Sequence, residues 1–408
     1  MHSRVLSRTG IKISVNQLID FLAMACVFIF STREYVSKLF PSIPYVILGY
    51  FVFLFLIASL VLEQRRINWG AVCFLLGAGI VCFLCWGSSS GVQKEYIHTL
   101  LIDPYAIVKL WVYFVAFSLI RNPQDFRKKL LIIAYVNMAL LIFVTVKGLY
   151  STSAGTVNYV GLGISGAVWI PLIIFHSFET EGKMRVVNNI SSVVFVLFIA
   201  IYGNRGSLLA IVGFVCFCFV RYTKFNQKIA VVSLVGFVTF VLYLFQDEIW
   251  SYILDLVSKM GLYSRNLTLI TAGRLSYSTH RTDEIWVRVL EAIKEDVLTG
   301  RGLCYDRVLS GDISIYAHNL VLEVLLSFGI VFGGILIFLH FRMGIESCLK
   351  IHDHNWESLF FPFYVTSTLL LMFNSSLCLQ STFWLPYGTF FAWKKAKKNM
   401  VSSGGKRS

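Results

Sequence analysis

Twelve apolar runs of 14 to 23 residues occupy most of the chain, and basic residues gather between alternate pairs of them. A helix needs about 20 apolar residues to cross the roughly 30 Å hydrocarbon core of a bilayer, so this spacing makes lipid the solvent for most side chains. The runs fall at 14–31, 43–62, 69–86, 104–120, 129–146, 161–177, 187–203, 205–220, 229–245, 319–341, 357–374 and 380–393. Of the 408 residues, 57% are hydrophobic and 14% charged, against roughly 45–50% apolar and 25% charged in globular chains. A disordered tail protein, a collagen-like fibre and a disulfide scaffold are excluded. So is a β-barrel, whose strands alternate polar and apolar. The expected fold is an all-α integral membrane protein of about 12 transmembrane helices, with residues 1–408 as a single polytopic domain. The last run is short and holds Pro386; read as re-entrant, it leaves eleven spans and a C-terminus on the opposite side.

The net charge of +14 has to be sorted by side before it means anything. Met1 to Ser14, with Arg4, Arg8 and Lys12, resembles the start of a signal peptide, but no small-residue cleavage site follows Phe30, so a retained first helix is expected. With that end inside, the inner connections collect Arg65, Arg66, Arg121, Arg127, Lys128, Lys129, Lys183, Arg185, Arg221, Lys224, Lys228, Arg342 and Lys350. The tail adds Lys394, Lys395, Lys397, Lys398, Lys406 and Arg407, whereas the short outer connections hold only Arg33, Lys38, Lys94, Lys147 and Arg205. Cytoplasmic loops carry such an excess. Much of the charge is therefore an orientation signal with affinity for anionic membrane lipid, and nucleic acid is not an expected partner.

One connection breaks the pattern. Residues 246–317, between spans nine and ten, form a polar outer loop of about 70 residues with eight basic side chains, among them Arg281, Arg288, Arg301 and Arg307. Long loops in tightly connected bundles commonly carry function. Within it, Thr282 to Glu295 reads as an amphipathic helix with Ile285, Trp286, Val289 and Ile293 as its apolar stripe, stopped by Thr299-Gly-Arg-Gly302. Asp247 to Met260 is a second such candidate, and both are expected on the membrane face or the bundle mouth.

Three distant stretches of sequence place polar groups on this outer side. Arg205 sits in the tight turn Gly203-Asn204-Arg-Gly206, where an ordinary loop arginine is the bland reading, but its short tether is stiff and flanking glycines admit an anion. His318 and Asn319 open the tenth span, and Glu323, four residues past Asn319, shares its face and must look inward to a partner or water. Arg281 and Arg288 bracket the start of the loop helix, where a solvated face is the default. Lys109 lies about five residues inside the fourth span and either snorkels or lines the same pocket. Together Arg205, Arg281 and His318 describe a cationic pocket with a titratable imidazole at the mouth of a bundle, suited to a lipid-anchored phosphate whose head group faces outward.

Other motifs are weaker. No phosphate-binding glycine loop, zinc-binding H-E-x-x-H or external carboxylate pair occurs, so neither a metal nor a cofactor is expected. His352-Asp-His354 lies on an inner loop and reads as a solvated turn. Of nine cysteines, Cys82-x-x-Cys85 and Cys216-x-Cys218 sit inside apolar runs, where cysteine behaves as a small hydrophobe. Cys304 and Cys378 fall on the outer side, and a bridge between them is left open.

At these residues the chain resembles the O-antigen polymerase and O-antigen ligase superfamily. The likeness lies in Asn204-Arg-Gly-Ser-Leu-Leu-Ala210, in Arg281-Thr-Asp-Glu-Ile-Trp286 leading to Leu298-Thr-Gly-Arg-Gly302, and in His318-Asn-Leu-Val-Leu-Glu323 followed by Gly329. It covers roughly residues 190–345; the first half matches in hydropathy alone. One departure stands out: the ligases tend to carry Gly-x-x-Gly after the histidine motif, where this chain has Gly329-Ile-Val-Phe-Gly333.

The resemblance implies a bundle related to the integral-membrane glycosyltransferases of the C type, with a large periplasmic loop, and metal-independent inverting transfer from an undecaprenyl-pyrophosphate-linked glycan. Arg205 and Arg281 would neutralise the pyrophosphate leaving group, and His318 would act as general base on, or orient, the acceptor hydroxyl. Arg288, Asn204, Asn319, Glu323 and Lys109 would bind substrate or hold the geometry around it. The reading is an O-antigen polymerase of the bacterial inner membrane, active in lipopolysaccharide biosynthesis at the periplasmic face, with a chain-length regulator as a further partner. The alternative is the ligase that moves lipid-linked polysaccharide to lipid A-core. A flippase for the lipid-linked glycan would show charges at midplane and a two-fold repeat in hydropathy, and neither is visible.

Overall fold

The computed structural model describes residues 5–6, 13–147, 159–222, 251–252, 255, 259, 285–313, 315–373 and 375–404. The chain is an all-α integral membrane protein: among the described residues ten helices are long and apolar enough to cross a bilayer. The ninth expected run, 229–245, lies outside them, as does most of the second amphipathic candidate. The helices are α1 (Val15–Leu39), α2 (Tyr45–Leu62), α3 (Trp69–Ser88), α4 (Gly91–Ile97), α5 (Pro104–Ser118), α6 (Pro123–Val146), α7 (Tyr159–Glu179), α8 (Gly182–Tyr202) and α9 (Arg205–Tyr222). After the gap come α10 (Val287–Glu295), α11 (Tyr305–Ser310), α12 (Leu320–Lys350), α13 (His354–Phe373) and α14 (Leu385–Gly404). A two-residue antiparallel pair, Val5–Leu6 with Ile13–Ser14, precedes α1.

The residues divide into two compact units. The first comprises 1–133, 284–364 and 375–408; the second comprises 134–283 and 365–374.

In the first unit, Ser14 and Gln17 form a reciprocal capping box at the start of α1, and Asn68 caps α3 by accepting from Ala71 N. α14 packs along α5: Gly388 lets the backbones approach, the Trp384 ring lies tilted against Trp111 with centroids 4.5 Å apart, and Phe391 meets Phe114 edge-on. Only α14 and the 3-10 turn Ser381–Trp384 before it stand where the short twelfth run was expected. α14 reaches the basic end of the unit, where Lys395 donates to the carbonyls of Arg65, Arg66 and Ile67. There Arg66 pairs with Asp20, and Lys350 and Lys394 share Glu346. The basic residues among these come from two connections and the C-terminal tail, all of which the charge asymmetry assigned to one side. The turn 351–353 is structural too: Asp353 accepts from Asn355 N at the start of α13.

In the second unit, α7 packs on α8 and α9 through small residues, a common device where helices meet in lipid. A methyl group at Gly163 would sit 2.8 Å from Asn204 N, and one at Gly166 would overlap the end of Ile199.

Candidate functional site

Arg205 is the first residue of α9. The preceding Asn204 is buried and caps that helix, its Oδ1 accepting from Ser207 N at 2.7 Å, while its Nδ2 reaches Val160 O at 3.4 Å. Asn204 is thus committed to the backbone on both sides. Gly163 and Gly203 supply the close approach that seats this turn. The result is a half-buried guanidinium at a stiff helix N-terminus within the second unit.

The His318 region belongs to the first unit and is built differently. α12 is broken: Gly329 has φ 66° and ψ −179°, which splits it into Leu320–Phe328 and Ile330–Lys350. A break frees backbone groups that apolar surroundings cannot solvate, and the Thr299-Gly-Arg-Gly302 turn answers them. Arg301 N donates to Leu326 O at 2.7 Å, Gly302 N to Ser327 O at 3.0 Å, and Ile330 N to Val297 O at 2.7 Å. Gly300, itself at φ 73°, lies against the Gly329 backbone so closely that a side chain at either position would overlap the other strand. Gly333 allows the second half to approach Val324 O of the first. The five-residue glycine spacing noted in the sequence is therefore a break followed by a close contact.

Asn319 caps the short first half, its Oδ1 accepting from Val321 N and Leu322 N at 3.0 and 3.1 Å. His318, immediately before it, is 9% exposed. His318 and Cys304 are the non-glycine residues with positive φ, at 51° and 61°, among the described residues, a conformation that surrounding structure must hold in place. Trp286 Nε1 donates to Ala317 O at 2.7 Å, fixing the residue before His318. The expected amphipathic stripe is present: Val289 and Ala292 form a core with Ala317 and Leu326, with Ile285, Ile293 and Leu322 packed around it. The regular helix is shorter than expected, Val287–Glu295, with a π turn at Ile285–Trp286, and 282–284 lie outside the described residues.

Beneath His318 runs a buried polar chain that the sequence reading missed. The Tyr316 and His318 rings are 3.9 Å apart, and the Arg307 guanidinium lies 5.3 Å from the Tyr316 ring. Arg307 is fully buried and donates to Asp306 Oδ1 at 2.9 Å and to Ser376 Oγ at 2.7 Å. Ser376 donates onward to Glu323 Oε1 at 2.6 Å, Leu377 N donates to Oε2 at 3.0 Å, and Asp306 Oδ2 accepts from Ala317 N at 3.0 Å. Burial works against the Arg307 charge, but the groups around it, Cys378 and Asp306 foremost, hold its pKa above the ordinary value. Asp306 and Glu323 thus flank one guanidinium, and Asp306 also holds the backbone just before His318. Arg307 read in the sequence as one of eight loop cations; adjacency to Asp306 was its only local signal.

The remaining candidates are placed as follows. Arg288 is on α10 and donates from Nη1 to Leu309 O at 3.1 Å. Lys109, on α5, belongs to the charged neighbourhood of Arg33 and Glu34 on α1. Glu323 is buried and satisfied by Ser376 and Leu377. Arg281 lies outside the described residues. The described residues bring His318, Asn319, Glu323 and Arg288 into one unit and put Asn204 and Arg205 in the other. No group of three or more His, Cys, Asp or Glu side chains among them could hold a metal.

The geometry defines a polytopic membrane protein whose conspicuous polar machinery surrounds the start of a broken helix. Residues 190–339 match a family model described as O-antigen ligase, and this stretch contains Arg205, Arg281 and His318. Over this stretch the chain is similar to the O-antigen ligase family, and the likeness covers less than half of the chain. No curated protein matches the chain.

Proposed function

We propose that the protein is an O-antigen polymerase of the inner membrane. It transfers the growing glycan from undecaprenyl pyrophosphate to a new lipid-linked repeat unit at the periplasmic face, without a metal. The observation that carries this reading is His318, held at positive φ against the capped start of a half-helix and backed by the Arg307 network. An imidazole fixed in this way suits a general base that takes the proton of the acceptor hydroxyl as it attacks the anomeric carbon. The forked donors of Arg205 and Arg281 suit the pyrophosphate, on which charge grows as the C1–O bond breaks. Orientation is supported by the basic end of the first unit, whose lysines and arginines suit the cytoplasmic side.

The second reading is the ligase, favoured by the description of the matching family model. It shares the donor and differs in the acceptor, lipid A-core. A deletion strain separates them: single-repeat caps on its lipopolysaccharide are expected for a polymerase, whereas loss of all caps with accumulation of lipid-linked polymer identifies the ligase. For the chemistry, Arg205→Ala, Arg281→Ala and His318→Ala are each assayed in membranes supplied with outer-face lipid-linked substrate. Each is expected to abolish product at normal protein levels, and survival of all three activities overturns the proposal. Arg205→Lys is expected to fail as well, because an ammonium keeps the charge and loses the bidentate geometry.

A further inference from the structure

Cys304 and Cys378 are 74 residues apart in sequence, yet their sulfur atoms are 3.7 Å apart, and the side chains are 2% and 6% exposed. Each belongs to a segment that the polar chain already uses. Cys304 precedes α11, which carries Asp306 and Arg307; Cys378 N donates to Ser376 Oγ at 3.3 Å in the segment that holds Glu323. The contact with Cys304 and burial push the Cys378 thiol up, which disfavours the thiolate at that sulfur. Cys82 and Cys85 of α3 lie within electrostatic range of Cys304 and are the competing thiols.

We propose that Cys304 and Cys378 are joined in the mature protein by a disulfide that staples the Arg307 segment to the Ser376–Cys378 segment behind His318. The inference rests on the outward orientation in the proposed function, since structural disulfides persist in oxidising compartments. Two S–H bonds break and one S–S bond forms. Two electrons and two protons pass by thiol–disulfide exchange to the disulfide of a protein oxidant on the outer face, which leaves as a dithiol. Exchange takes place before the two segments close on each other, after which the same burial shields the bond from reductants. The bond removes loop-closure freedom from the unfolded chain and leaves the hydrogen bonds around Arg307 to set geometry.

The test uses full-length protein from cells quenched with acid and N-ethylmaleimide, denatured, reduced and labelled with an isotopically distinct maleimide. Seven of the nine cysteines are expected to take the first label, and Cys304 and Cys378 only the second, with their linked peptides found by mass spectrometry before reduction. All nine taking the first label, or Cys304 linked to Cys82 or Cys85, overturns the proposal. Cys304→Ser, Cys378→Ser and the double variant are expected to lower the thermal midpoint in detergent by the same amount, and additive losses overturn it. The labelling of unmodified protein decides the matter even where a variant fails to fold. Orientation is read separately by labelling Asp312→Cys, on the exposed turn after α11, with an impermeant maleimide on spheroplasts. Labelling there with nine free native thiols sinks the staple alone; no labelling there sinks the orientation and the staple with it.

Discussion

The turn that carries Arg205 and the segment that carries His318 share a local task, the start of an apolar helix beside a side chain to which the proposed function gives a role. The first is held by close packing. Glycines of α7 and the α8–α9 turn let backbones touch, and one asparagine satisfies the freed N–H group. The second is held by buried charge and backbone pairing: a broken helix, a glycine turn clamped across the break, and a guanidinium paired with Asp306 and linked through Ser376 to Glu323. A turn built from contacts within three successive helices is specified locally. A segment assembled from residues 286, 297–307, 316–330 and 376–378 exists only when the whole unit has folded.

Substitutions should separate the two designs. The largest effect is expected for Gly329→Ala, whose methyl group overlaps Leu298 O in a backbone conformation closed to alanine. Its cost should exceed about 4 kcal/mol, in the exceptional class of single changes, and fluorescence-detected size-exclusion chromatography should recover no monodisperse protein. Next is Arg307→Ala, which strands two buried carboxylates and should cost about 3–5 kcal/mol; a small shift in thermal midpoint would mean that charge does not organise this region. In the other unit, Gly163→Ala pushes on Asn204 N and should cost about 1–3 kcal/mol. Its sharper readout is activity, because the strain falls on the turn that aims Arg205. The smallest effect, about 1 kcal/mol, is expected for Asn204→Ala, a lost helix cap. Should Asn204→Ala destabilise more than Arg307→Ala, the contrast between the units is wrong.

The sequence already showed the membrane class, ten of the twelve expected runs as helices long and apolar enough to span a bilayer, and the amphipathic stripe of α10. Each depends on periodicity or on length set by bilayer thickness, both visible within a short window. It also pointed to the start of the tenth span and to Glu323 as a residue needing an inward partner. It did not show what that partner is. Ser376 and Leu377 lie 53 and 54 residues away in a polar gap between runs, and nothing in their spacing tells of a carboxylate. Arg307 was hidden for the opposite reason, as one cation among eight. Gly329 and Gly333 were seen as a motif of unusual spacing; only the paired Gly300 reveals that the first marks a break in the helix.

That break has a consequence for the order in which the protein is made. Ile330–Lys350 alone extends about 31 Å as a helix and suffices to cross a bilayer. Leu320–Phe328 has nine residues, too few for a helix that persists without neighbours. It forms by docking on α10 and on the 297–302 turn. The membrane spans can therefore be inserted while the His318 segment is still unformed, and that segment takes its final form only when the loop that precedes it has settled.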